Sequence, residues 1–198
     1  MFPVYPDSQK RWLKCQQCRL YESRRNVVLY RTGYVGDGLV HPNQSFSILA
    51  PTLLFIGEAP GQQEDHTGLP FQGRTGYILN AIFKRAHTPF NFVLTNTVAC
   101  RPTEMGFRDQ LINRPPTAPE QLACRPRLDN MLPLFDFEGV VYLGSSRPSF
   151  PLRSLELDNP VNILKMEFKL FAIKRNAQKL ENYVTSIQKA KAEDIHRG

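Results

Sequence analysis

Three short apolar runs punctuate the chain, each closed by a turn residue or a cysteine. Thr52–Ile56 runs into Gly57, Asn91–Ala99 into Cys100 and Val140–Leu143 into Gly144. Their length and their branched or aromatic content predict strands buried on both faces, as parallel strands are. Between the first two, Tyr77, Ile78, Ala81, Ile82 and Arg85 recur at helical spacing within Gly73–His87. Between the second and third, a Pro-rich loop leads into a second helix, entered at Pro119 and running to Phe135. Strand, helix, strand, helix, strand predicts an α/β sandwich with right-handed crossovers. Residues 163–192 carry longer helical periodicity (Ile163, Leu164, Phe168, Phe171, Leu180, Tyr183, Ile187) with lysines and arginines between. Residues 33–51, rich in Gly, Pro, Asn and Ser, read as a loop. Residues 9–25 read as a polar, basic segment holding a C-x-x-C.

Composition narrows this picture. The 198 residues, 41% hydrophobic and 22% charged, exclude bulk disorder and suit one domain spanning 1–198. Lys plus Arg outnumber Asp plus Glu 25 to 18, a net charge of +7 that favours a polyanionic partner, most simply nucleic acid. No apolar run approaches the roughly 18 residues of a membrane span, so no membrane association is expected. The opening MFPVYPDSQKRW has no apolar signal core. The expectation is an intracellular protein in a reducing compartment, where cysteines serve as metal ligands or inert core thiols rather than disulfides.

Ligands of open parallel sheets bind beyond the carboxyl ends of the strands. That rule points to Gly57–Gly73, to Asn96–Arg101 and to Gly144–Ser146. Gly57-Glu58-Ala59-Pro60-Gly61 is a stiffened turn that brings backbone close to a ligand. It lacks both the GK[ST] of a phosphate loop and a G-x-G-x-x-G. Glu64 and Asp65 either orient a water or hold a loop through backbone N–H groups. Phe71, held between Pro70 and Gly73, is either a stacking platform for a base or a core plug. Asn96 offers a donor and an acceptor to a nucleobase edge, or ties down a neighbouring loop. Cys15 and Cys18 form a chelating pair, and Cys100 and Cys124 are each followed by Arg-Pro. By spacing alone, zinc, an iron–sulfur cluster and unligated core thiols all remain open. His41, His66, His87 and His196 have no obvious partner by spacing.

Taken together, these residues resemble a known group. Gly57 through Leu79 (GEAPG-x-x-ED-x-x-G-x-PF-x-G-x-x-G-x-x-L) resembles the first motif region of family 4 uracil-DNA glycosylases. Thr95–Pro102 with Asn113–Leu128 resembles that family's second block, and Cys15–Leu20 its N-terminal cysteine pair. The resemblance covers roughly residues 10–145. It implies a three-layer α/β/α sandwich with a central four-stranded parallel sheet. It implies a structural 4Fe–4S cluster held by Cys15, Cys18, Cys100 and Cys124. It implies an enzyme that flips uracil, or a related modified pyrimidine, out of DNA and hydrolyses its N-glycosidic bond. Residue by residue, Glu58 with the Gly57, Ala59, Pro60 and Gly61 backbone lines the pocket near the sugar. Phe71 stacks on the base and Asn96 reads its edge. DNA, single- or double-stranded, is the implied partner of a monomeric enzyme.

The chain also departs from the family pattern. A His-Pro-Ser motif whose His supports the leaving base is expected near the end. Here the best fit is Asn159-Pro160, with Asn159 as the third catalytic candidate, and the rival fit is Arg147-Pro148-Ser149. Glu104–Ile112 resembles an insertion. Asn159 motivates an alternative: a diverged relative acting as a DNA-binding accessory protein or in DNA-base modification. The basic C-terminal helix, with Lys165, Lys169, Lys174, Arg175 and Lys179, is a candidate phosphate contact.

Overall fold

In a computed structural model, which describes residues 5–144, 148–165 and 169–197, the three apolar runs become buried strands, the second ending at Asn96 so that Thr97–Ala99 lie beyond it. In chain order the elements are α1 (Asp7–Lys10), α2 (Leu20–Ser23), β1 (Tyr30–Gly36), β2 (Leu39–Pro42) and β3 (Thr52–Gly57). Then come α3 (Gln62–Thr67), α4 (Gly73–Phe83), β4 (Phe90–Asn96), β5 (Thr103–Met105) and β6 (Leu111–Asn113). The chain continues with α5 (Ala118–Met131), β7 (Gly139–Leu143), β8 (Ser154–Leu157), α6 (Pro160–Lys165) and α7 (Lys169–Arg197). Among the described residues no helix is long and apolar enough to cross a membrane.

The main sheet runs β2-β1-β4-β3-β7-β8. Strands β4, β3, β7 and β8 are mutually parallel, the four-stranded core that the family resemblance implies. Residues 33–51 correct the loop expectation, because β1 and β2 form a hairpin that adds two antiparallel strands beside β4. Its turn, Asp37-Gly38, has φ of 54° and 71°, the left-handed pair that a tight hairpin requires. The edge strand β8 was not expected from the sequence. Its outward residues are exposed, so it lacks the apolar run that marks a central strand.

Period-two alternation sorts the strands onto two layers. Leu53, Phe55, Phe92, Leu94, Val141 and Leu143 pack under α4, α6 and α7. Leu54, Ile56, Val93, Val140 and Tyr142 pack under the N-terminal segment and α5. The long C-terminal periodicity divides into α6 and α7, with Phe168 outside the described residues. Leu180, Val184 and Ile187 face the sheet, whereas Phe171 points outward. Of the cationic face of α7, Arg175 is engaged by Asp158.

Candidate active site

All four parallel strands deliver a residue to one open cleft of about 560 Å³: Gly57 from β3, Asn96 from β4, Leu143 from β7 and Asn159 just past β8. The cleft lies where the strand-end rule placed it. It gathers every substrate and catalytic candidate read from the sequence: Gly57, Glu58, Ala59, Pro60, Gly61, Phe71, Asn96 and Asn159. His41, His66 and His87 do not line it, and no described residue of α7 does so either. Arg147 lies outside the described residues.

Gly57 and Asn96 are register partners at the ends of adjacent strands. A Cβ on Gly57 would stand 2.6 Å from Asn96 Oδ1 and 2.7 Å from Phe71 Cζ. Only glycine therefore lets the Asn96 amide and the Phe71 ring approach one another here. Asn96 is 3% exposed, yet its side chain makes no hydrogen bond among the described residues. Buried amides are ordinarily paired, so an idle one lining a cleft has a donor and an acceptor open to a ligand. Phe71 sits at φ 54°, a left-handed conformation uncommon for an aromatic residue and of the kind that collects at functional sites.

The acidic pair holds the loops rather than facing a ligand. Glu64 accepts from the Gly61 N–H (3.0 Å) and the Gln72 N–H (2.8 Å), clamping the two turns that flank the cleft. The Gly61 N–H is thus spent inside the protein. Asp65 accepts from the N–H groups of Arg25 (2.8 Å) and Asn26 (3.1 Å). Burial pulls the Arg31 guanidinium down to about 10, with the negative charge of Glu64 opposing that shift. Substituting Glu64→Ala leaves two backbone N–H groups of the cleft walls unpaired. A stability loss of about 2–3 kcal/mol is expected from urea midpoints. An unchanged midpoint would mean that water replaces the carboxylate at no cost.

Asn159 begins α6. Its carbonyl accepts from Asn162 N–H (2.9 Å) and Ile163 N–H (3.1 Å), with Pro160 at the first helical position. Its side chain lies against Gly144, at φ 103° beyond β7. Sequence reading missed Gln63, Arg74, Asn113 and Arg114, which also line the cleft. Arg114 makes a bidentate pair with Glu120 (2.6 and 2.8 Å). Those bonds hold the Glu120 carboxyl below its ordinary range while it caps α5 through Thr117.

On the far side of β4, a second and smaller pocket is lined by all four cysteines with Trp12, Arg24 and Arg127. Among the described residues no three candidate ligands converge closely enough to share a single metal ion. Arg24 Nη1 donates to Cys100 Sγ (3.5 Å), and Ala99 N–H donates to Cys124 Sγ (3.3 Å). Burial pushes the Cys100 thiol up to about 11 despite Arg24, and it raises Cys18 as well. Trp12 Nε1 and Arg127 Nε are buried without a hydrogen-bond partner among the described residues. Four thiols, two nearby guanidinium groups and two idle N–H donors fit an anionic, sulfur-rich group that fills the pocket.

Arg127 is the residue that sequence reading overlooked most completely. It is 1% exposed and links the two pockets. Its guanidinium donates to Thr95 Oγ1 (2.9 Å) and to the Asn96 carbonyl (2.5 Å), fixing the strand end that carries the idle amide.

Comparison with known proteins follows the same lines. The family model described as Uracil DNA glycosylase superfamily matches residues 44–186. A Type-4 uracil-DNA glycosylase of Thermotoga maritima is 34% identical over 138 residues, covering 69% of this chain and 60% of that protein. One of Saccharolobus solfataricus is 31% identical over 146 residues, covering 73% and 57%. One of Archaeoglobus fulgidus is 27% identical over 170 residues, covering 85% and 73%. The chain thus spans about 60% of the length of the first two relatives. Among solved structures, that of wild-type SMUG2 from Pedobacter heparinus superposes with a TM-score of 0.52 at 16% identity. That match covers 68% of this chain and 76% of that one, and it speaks for the fold.

Proposed function

Because this chain belongs to the uracil DNA glycosylase superfamily, we propose that residues 1–198 act as one DNA glycosylase domain that hydrolyses the N-glycosidic bond of uracil, or of a related modified pyrimidine, in DNA. The observation that carries the reading is the idle Asn96 amide beside the Phe71 ring, with Gly57 leaving the space between them clear. Uracil presents O4 and N3–H side by side, which one amide matches with a donor and an acceptor. Cytosine presents the opposite order of donor and acceptor, so the choice between the two bases rests on which way round the Asn96 amide is held when the base enters. Phe71 supplies the stacking face for a flipped base.

Breaking the bond sends the electron pair to N1 of the base and leaves positive charge on the sugar. Water adds its oxygen at C1′ and loses a proton, and the uracil anion is protonated on release. Glu58, at the cleft wall, stabilises the cationic sugar and orients the water. Asn159 donates to the leaving base from the opposite rim. Fixed donors of this kind act where charge develops and need no reorganisation during the reaction. A neutral amide does this less well than an imidazole would. Asn159→His is therefore expected to raise the single-turnover excision rate by about tenfold or more. A lower or unchanged rate would remove Asn159 from the leaving-group role.

The proposal includes a 4Fe–4S cluster held by Cys15, Cys18, Cys100 and Cys124. Supporting it are the single pocket that the four thiols line, the buried Arg127 and half-buried Arg24 beside it and the Type-4 relatives. When bound, such a cluster would cross-link the N-terminal segment to the loop after β4 and the middle of α5, a structural role.

A further inference from the structure

Strands β5 and β6 form a separate two-stranded ribbon between Cys100 and Cys124, in the stretch that reads as an insertion. The ribbon breaks the ordinary rule for apolar side chains. Phe107 at its tip is 80% exposed and Met105 65% exposed, and Leu111 and Ile112 are exposed as well. An uncovered two-stranded ribbon is marginal in water, and an apolar cluster on it marks an interaction surface.

The base of the ribbon is firmly held. Arg101 Nε donates to Asn113 Oδ1 (2.6 Å), Arg114 Nε donates to the Thr103 carbonyl (3.1 Å) and Thr103 Oγ1 bonds Ser23 Oγ (3.1 Å). The tip is shaped by left-handed Arg108 and Asp109, and the Arg108 guanidinium lies 5.4 Å from the Phe107 ring. Asn113 and Arg114, at the base, line the cleft itself. An exposed apolar tip with arginines along it is thus joined, through a pinned base, to the site that would receive an extruded base.

Resting on the glycosylase reading, we propose that the β5–β6 ribbon is a wedge for double-stranded DNA. Phe107 and Met105 enter the base stack beside the flipped nucleotide, and Arg108 and Arg101 meet the flanking phosphates. Apolar wedges inserted between base steps offset the cost of unstacking, and arginine provides the matching charge. Duplex DNA is the occupant the surface fits, because extrusion leaves a gap in the stack that an apolar side chain fills. A single strand has no such stack to open.

The test is Phe107→Ala, measured in single-turnover excision from one uracil-containing oligonucleotide with and without its complement. The ratio of duplex to single-strand rates is expected to fall by about tenfold or more. An unchanged ratio would overturn the proposal. A second readout is independent of chemistry: duplex carrying 2-aminopurine beside the target base. The unsubstituted protein is expected to raise its fluorescence on binding and Phe107→Ala to lose that rise. If the unsubstituted protein excises from neither strand, the glycosylase reading fails, and the fluorescence still judges the wedge. No rise with the unsubstituted protein, or an equal rise with Phe107→Ala, would assign the ribbon to some other partner.

Discussion

Asn96→Ala is expected to lower uracil excision by about 10²–10³-fold, or about 2.7–4 kcal/mol of transition-state stabilisation. The reason is local. The Asn96 side chain is buried at the end of β4 and has no protein partner among the described residues, so its donor and acceptor are open to the proposed base. Truncation strands no protein group, and the strand end stays fixed because Arg127 bonds the Asn96 main-chain carbonyl rather than its side chain. The melting temperature is therefore expected to hold or rise slightly while activity collapses. That split separates a reading group from a structural one. Single-turnover kinetics and a thermal melt of the same preparation check it. Equal losses in both would make Asn96 a structural residue.

Loss of the proposed cluster is expected to have the second large effect, and it falls on stability. Arg127 is a fully buried cation with no carboxylate partner among the described residues. It shares its pocket with four cysteines and with the idle donors Trp12 Nε1 and Arg127 Nε. The proposed anionic cluster would balance that charge and accept those donors. Without it, a buried charge is uncompensated, which costs about 3–5 kcal/mol. For a chain of this size that corresponds to a melting temperature lower by roughly 6–20 °C. Cys100→Ala is expected to show this drop together with loss of iron and acid-labile sulfide. Coincident melts, or an iron-free protein as purified, would contradict the cluster.

Central strands were legible because a parallel strand covered on both faces must be apolar throughout, as Thr52–Gly57 and Gly139–Leu143 are. The β1–β2 hairpin was hidden by its Gly and Pro content, although Asp37-Gly38 is a strong turn signal. Strand β8 was hidden because an edge strand buries only part of its surface. The cleft was legible in place from the strand ends, Phe71 and Asn96 were candidates by residue type, and the family resemblance added Glu58 and Asn159. Phe71 stood as an even choice between platform and plug, since no sequence pattern reveals a left-handed aromatic. Arg127 was illegible for a plainer reason. In a helix of low apolar content an arginine reads as surface, and only the arrival of the Thr95–Asn96 strand end and the cysteine pocket turns it inward.

One assay decides whether this cleft excises uracil. Protein purified without oxygen is incubated with a uracil-containing oligonucleotide, single- and double-stranded, and the product is treated with hot alkali. Strand cleavage is expected at the uracil and at no thymine or cytosine, and it is expected to be lost in Asn96→Ala. An intact strand from a folded, DNA-binding preparation would contradict uracil excision as the function of this cleft.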